Sequence, residues 1–127
     1  MRVGLATDLG AGTSFSQLQT MNEAYKTAQL NGNALSAWHA FYLATRGAAA
    51  ALYLDDSIGS LAPGFEADLV VLDLKSTPII DYRMRYCQSF EESLFIQMTM
   101  ADDRATRATY IAGKRVYDRD RAQTHTF

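Results

Sequence analysis

The stretch Val3-Gly4-Leu5-Ala6-Thr7-Asp8-Leu9-Gly10-Ala11-Gly12-Thr13-Ser14-Phe15-Ser16 decides how the whole chain is read. A short apolar run from Val3 to Thr7 stops at Asp8, and a Gly-rich loop, Gly10-Ala11-Gly12, leads on toward helical spacing. A run of this kind delivered through such a loop into a helix is the pattern of a buried parallel strand opening a βα unit. A parallel strand needs neighbours on both sides, and no earlier segment of this sequence supplies them. The expected fold is therefore α/β, and the chain is expected to be a piece of something larger.

Downstream, Ser16 and Gln19 have capping-box spacing, which predicts a helix starting near Ser16 with each side chain satisfying the other's free amide. Leu18, Met21, Tyr25 and Ala28 form its apolar stripe, and Asn31-Gly32-Asn33 ends it. Ser36 predicts the next N-cap, with Trp38, Phe41, Tyr42 and Thr45 on the packed face, an interruption at Gly47, and a further helical piece over 48–54. Pro63-Gly64 predicts a type II turn. The strand that follows, over 67–73, carries Leu69-Val70-Val71-Leu72, apolar on both faces. Leu94, Phe95, Met98 and Ala101 space out another helix. Two strands, 106–111 and 115–117, are joined around Ala112-Gly113, and the polar tail 121–127 is expected to fray.

Composition excludes several functions. The 127 residues are 48% hydrophobic and 20% charged, a globular profile, and the formal charge of −2 comes with no basic patch. Nucleic-acid and membrane partners are thus not expected. No apolar run approaches the roughly 20 residues that span a bilayer. The single cysteine, Cys87, rules out an intrachain disulfide and fits a reducing, cytoplasmic compartment.

Few residues could carry chemistry. Asp8 ends a strand of the kind whose C-terminal end carries catalytic groups in barrel enzymes, yet an Asp there equally serves a turn by accepting loop amides. His39 and His125 are the only histidines, and with Cys87 they match no zinc spacing. Asp55-Asp56, Glu91-Glu92 and Asp102-Asp103 read as helix-end charges and local ion pairs. Gly10-Ala11-Gly12-Thr13 lacks the Gly-Lys-Ser/Thr of a phosphate loop, and Phe15 breaks the dinucleotide fingerprint.

Three segments add a resemblance. Leu5 to Ser16 resembles the strand-8 loop of guanine deaminases, members of the amidohydrolase superfamily. Ile58-Gly59-Ser60-Leu61-Ala62-Pro63-Gly64-Phe65-Glu66-Ala67-Asp68-Leu69-Val70-Val71-Leu72-Asp73 resembles the superfamily segment that leaves the barrel for a small β-sandwich. Tyr110-Ile111-Ala112-Gly113-Lys114-Arg115-Val116-Tyr117 resembles the hairpin closing that sandwich, and Asp102-Asp103-Arg104 is also similar to the deaminases. Tyr53, where Gly is usual, and Phe65, where Lys is usual, depart from the pattern.

The resemblance implies a C-terminal part of a TIM-type (β/α)8 barrel plus part of a β-sandwich. Residues 1–57 would be the last strand and helices, 58–76 the crossover turn and strand, 77–104 a helical segment, and 105–127 the closing hairpin and tail. It implies guanine, or a related heterocycle, as the substrate of the parent enzyme, and zinc, or iron, as its cofactor. It also implies Asp8 as both metal ligand and proton-shuttling catalytic residue. The remaining ligands, a His-x-His pair, two further histidines and a glutamate, have no counterpart in this chain, which is expected to be inactive and to hold no metal stably alone. Two other readings are an amidohydrolase for a different heterocycle, such as a chlorotriazine or another purine or pyrimidine, and a non-catalytic module that self-associates through uncovered faces. A homo-oligomer is expected.

Overall fold

The computed structural model describes residues 2–122. Its elements run in the order α1 (Gln17–Leu30), α2 (Ala37–Ala44), α3 (Arg46–Ala51), β1 (Leu69–Leu72), α4 (Pro78–Met84), α5 (Phe90–Met100), a 3-10 turn (Asp103–Ala105), β2 (Thr106–Ile111), β3 (Lys114–Asp118) and α6 (Arg119–Ala122). The fold is mixed α/β, with helices packed around α5 and a three-stranded antiparallel sheet in the order β1-β2-β3.

Helices α1, α2, α4 and α5 start where side-chain oxygens take the first free amides. Ser16, Ser36, Thr77 and Ser89 accept from the amides of Gln19, His39, Ile80 and Glu92. The expected capping box at Ser16 forms only by half. The Ser16 amide donates to Ser14 Oγ at 2.8 Å instead of to Gln19, because the preceding loop brings a nearer acceptor. At the other end of α1, the Gly32 amide donates to Gln29 O and that of Asn33 to Ala28 O, the Schellman pairing. The α2–α3 break falls at Thr45 (φ −126°, ψ −97°), not at Gly47, which is buried within α3.

Leu18 and Met21 from α1, Ala40 from α2, Ile80 from α4, and Ile96 and Met98 from α5 form the core with Ala101 and Ala105. Three consecutive residues, Ile96, Gln97 and Met98, are fully buried, so α5 is covered on most sides. This explains why its apolar residues show so little one-sided periodicity. Burying each of the large apolar side chains contributes about 1.5–3 kcal/mol. Trp38 and Tyr42, expected on the packed face of α2, are instead half exposed. The buried residues of α2 are Ala37 and Ala40, and Phe41 of the same helix packs against the core.

In the sheet, Val70 pairs with Thr109 and Val71 with Ala108, and a bulge follows Val71. The strand is apolar on both faces, as read from the sequence, and Val70 and Val71 remain partly exposed. Ala112 (φ 48°) and Gly113 (φ 76°) make the two-residue turn between β2 and β3, both in the left-handed region that such hairpins require. Asp68 Oδ1 accepts from the Ala112 amide at 2.7 Å and Ala67 O from that of Gly113 at 3.0 Å, tying this turn to the entry of β1. At Pro63-Gly64, Phe65 N donates to Ala62 O and Gly64 has φ 92°, as a type II turn demands.

Residues 2–8 lack a strand partner among the described residues, in keeping with the missing neighbours noted from the sequence. Their apolar run is tied to α2 by the bond from Leu5 N to Leu43 O at 2.9 Å. A run with strand character becomes a strand only when another strand offers it donors and acceptors in register, and here α1, α2 and α3 are its neighbours.

Candidate functional site

Asp8 lies at the end of this extended segment, where the chain turns sharply toward α1. Its backbone adopts φ 49°, a left-handed conformation uncommon outside Gly, Asn and Asp. Its carbonyl accepts two amides, from Ala11 at 3.0 Å and Gly12 at 2.6 Å. Residue 12 can only be glycine: a Cβ there would lie 1.8 Å from Thr7 O. The loop therefore closes on itself beneath Asp8 and leaves the side chain exposed. Among the described residues its carboxylate makes no hydrogen bond or ion pair, so the turn is held by the backbone carbonyl and not by the side chain.

The loop is clamped at both ends. Leu5 N donates to Leu43 O of α2, and Leu5 O accepts from Gln17 Nε2 at 2.9 Å. Gln17 is half-buried at the first position of α1, immediately after the Ser16 cap. Its role is missing from the sequence reading, because a Gln beginning a helix carries no pattern that says where its amide reaches.

The other candidates do not join Asp8. His39 is exposed on α2, its ring 6.4 Å from that of Tyr42, and His125 lies outside the described residues. Cys87 Sγ donates to Ser89 O at 3.1 Å. Asp55 faces Arg2 at 3.6 Å, and Asp56 accepts from Ser57 Oγ. Glu92 accepts from the Gln88 amide at 2.8 Å and from Arg83 at 2.6 Å, and in that order these donors hold its carboxyl below the usual range. Asp102 is held low by its paired bonds with Arg104, which also organise the 3-10 turn. These acids serve structure, as their positions predicted.

A cavity of ≈ 650 Å³ opens between α1, α2 and the sheet, lined mainly by apolar side chains including Phe15, Leu18, Phe41, Val70 and Tyr110. Asp8 is not part of its wall. No group of three or more His, Cys, Asp or Glu side chains among the described residues converges as a metal site would need. The described residues thus do not fit a metal by themselves; Asp8 offers a single carboxylate. No helix is long and apolar enough to cross a membrane.

Comparison with known proteins adds the wider frame. The chain is 51% identical to guanine deaminase of Escherichia coli (strain K12) over 120 residues, 94% of this chain and 27% of that protein. The solved structure of the E. coli guanine deaminase superposes with a TM-score of 0.90 at 52% identity, covering 93% of this chain and 28% of that one. An adenosine deaminase from Xanthomonas campestris, solved with bound zinc, matches 77% of this chain and 21% of its own at a TM-score of 0.60 and 27% identity. The chain thus spans about a quarter of the length of the relatives it matches. The amidohydrolase family's sequence profile matches residues 1–116, nearly the whole chain. A profile match of that extent, together with the shared fold, shows that the chain belongs to the amidohydrolase family.

Proposed function

We propose that this chain is the C-terminal part of a guanine deaminase, converting guanine and water to xanthine and ammonia, and that it does so only together with the rest of that protein. The observation that carries the reading is the 51% identity to the E. coli enzyme across 94% of the chain. Under it, residues 1–57 complete a (β/α)8 barrel, 58–76 cross over to a β-sandwich, 77–104 form a helical segment, and 105–127 are the closing hairpin and tail. The whole would act in the cytoplasm as a homo-oligomer.

Asp8 is the residue placed in the chemistry. Its carboxylate is exposed and held by a closed backbone loop, which suits a group that must take a proton from the attacking water without rearranging. Zinc, or iron in its place, belongs to the complete protein, with Asp8 as the one ligand this chain contributes.

The test is a hybrid in which this chain replaces the matching segment of E. coli guanine deaminase, assayed for ammonia release from guanine. The hybrid is expected to be active, and the isolated chain supplied with zinc is expected to be inactive. A folded hybrid that leaves guanine untouched would remove the substrate assignment. Ammonia release by the isolated chain would remove the claim that it is incomplete.

A further inference from the structure

Two contacts converge on one residue of the segment that delivers Asp8. Leu5 is bonded through its amide to Leu43 O of α2 and through its carbonyl to the side-chain amide of Gln17. Arg2, bonded to Ala50 O at 3.0 Å, is a further polar anchor of the same segment. From Leu5 to Gln17 the chain leaves α2, turns at Asp8, and returns to the start of α1. The Gln17 amide ties the two ends of that excursion together across 12 positions.

We propose that Gln17 is a positioning residue for Asp8, acting through the Leu5 carbonyl to fix the base of the loop on which the Asp8 carboxylate stands. This deepens the deaminase reading and rests on it for its catalytic consequence. The geometry is specific. Asp8 sits in the left-handed region, which turns the chain sharply at this point. Two amides bond its carbonyl from within the loop, and the tight approach of residue 12 to Thr7 O leaves the loop no slack. If the base opens, the left-handed turn loses its support and the carboxylate direction is released. Gln17 supplies a donor, so a side chain of the same shape without one fails, and a different side chain that keeps one succeeds.

The experiment compares Gln17→Glu, which keeps the shape and loses the donor, with Gln17→Lys, which keeps a donor. Amide hydrogen exchange is followed at Ala11 and Gly12 in the 127-residue chain, with the β2 amides as the reference for intact folding. Removing one half-buried hydrogen bond is expected to speed exchange at Ala11 and Gly12 by about fivefold to tenfold, with β2 unchanged. Lys is expected to restore much of the protection. In the hybrid enzyme, Gln17→Glu is expected to lower kcat by a similar factor and leave KM for guanine unchanged, as befits loss of aim and not of substrate binding. Unchanged exchange in Gln17→Glu overturns the assignment, as does equal loss in Gln17→Lys. Altered exchange in the chain with a wild-type hybrid inactive on guanine supports the anchoring role and overturns the deaminase reading instead.

Discussion

Asp8 and Gly12 show how little of a loop is free to vary. The Asp8 carboxylate is placed by its own carbonyl, which takes two amides, and by a glycine 12 that cannot acquire a Cβ. Asp8→Ala in the hybrid enzyme should lower ammonia release roughly 10²- to 10⁴-fold, the range expected when a proton-transfer group is lost, while the melting temperature stays close to the parent's. Gly12→Ala should do the reverse in the isolated chain. It forces the loop off Thr7 O and should cost about 1–3 kcal/mol by denaturant titration. Ala112, left-handed without being glycine, is the converse case. Ala112→Asn places a residue suited to that backbone in the hairpin and should raise stability by up to about 1 kcal/mol, read as a higher denaturation midpoint. Ala112-Gly113 announced the turn, whereas the Asp68 carboxylate that ties it to β1 comes from 44 positions away.

At the scale of elements, the caps were legible because they are local. Ser16 and Ser36 each stand one residue before the helix they start. Helix α4 was not resolved separately from its surroundings, although Thr77-Pro78 is a start signal; it is only seven residues long and packs through one buried side chain, Ile80. Helix α5 carries the core, and Ile96→Ala should cost about 2–5 kcal/mol, enough to lower the melting temperature by many degrees or to unfold so small a chain. The pairing of α4 with α5 also sets an acid dependence. Glu92 is held below the usual carboxylate range by the Gln88 amide and then by Arg83, and Asp81 by Arg85 and Lys75. A carboxyl depressed in the folded state stabilises the fold in its ionised form. That contribution is complete above the ordinary carboxylate range, about pH 4, and is lost as the pH falls through the depressed folded values. Thermal unfolding followed from pH 7 to pH 2 should show the loss beginning below about pH 5, and Glu92→Gln should make the profile shallower.

For the molecule as a whole, the uncovered apolar surface is the dominant feature. Trp38, Ile79, Tyr82, Tyr86 and Phe90 are each more than half exposed, and the tilted contact of Trp38 with Phe90 at 5.5 Å does not shield them. A chain with so much exposed apolar surface should self-associate, with light scattering giving a mass above one chain that rises with concentration; a monomer at all concentrations would contradict this. The family, the antiparallel hairpin, the helix starts and the identity of Asp8 as the chemical candidate could all be read from residues near one another in the chain, since caps, turns and short motifs act over three or four positions. Three things could not. The Leu5 amide finds Leu43 O of α2, α2 turns Trp38 and Tyr42 outward while Ala37, Ala40 and Phe41 pack inward, and Gln17 reaches back to Leu5. Each depends on which surfaces meet after folding, and a linear pattern records the chemistry of a surface but not the neighbour that will cover it.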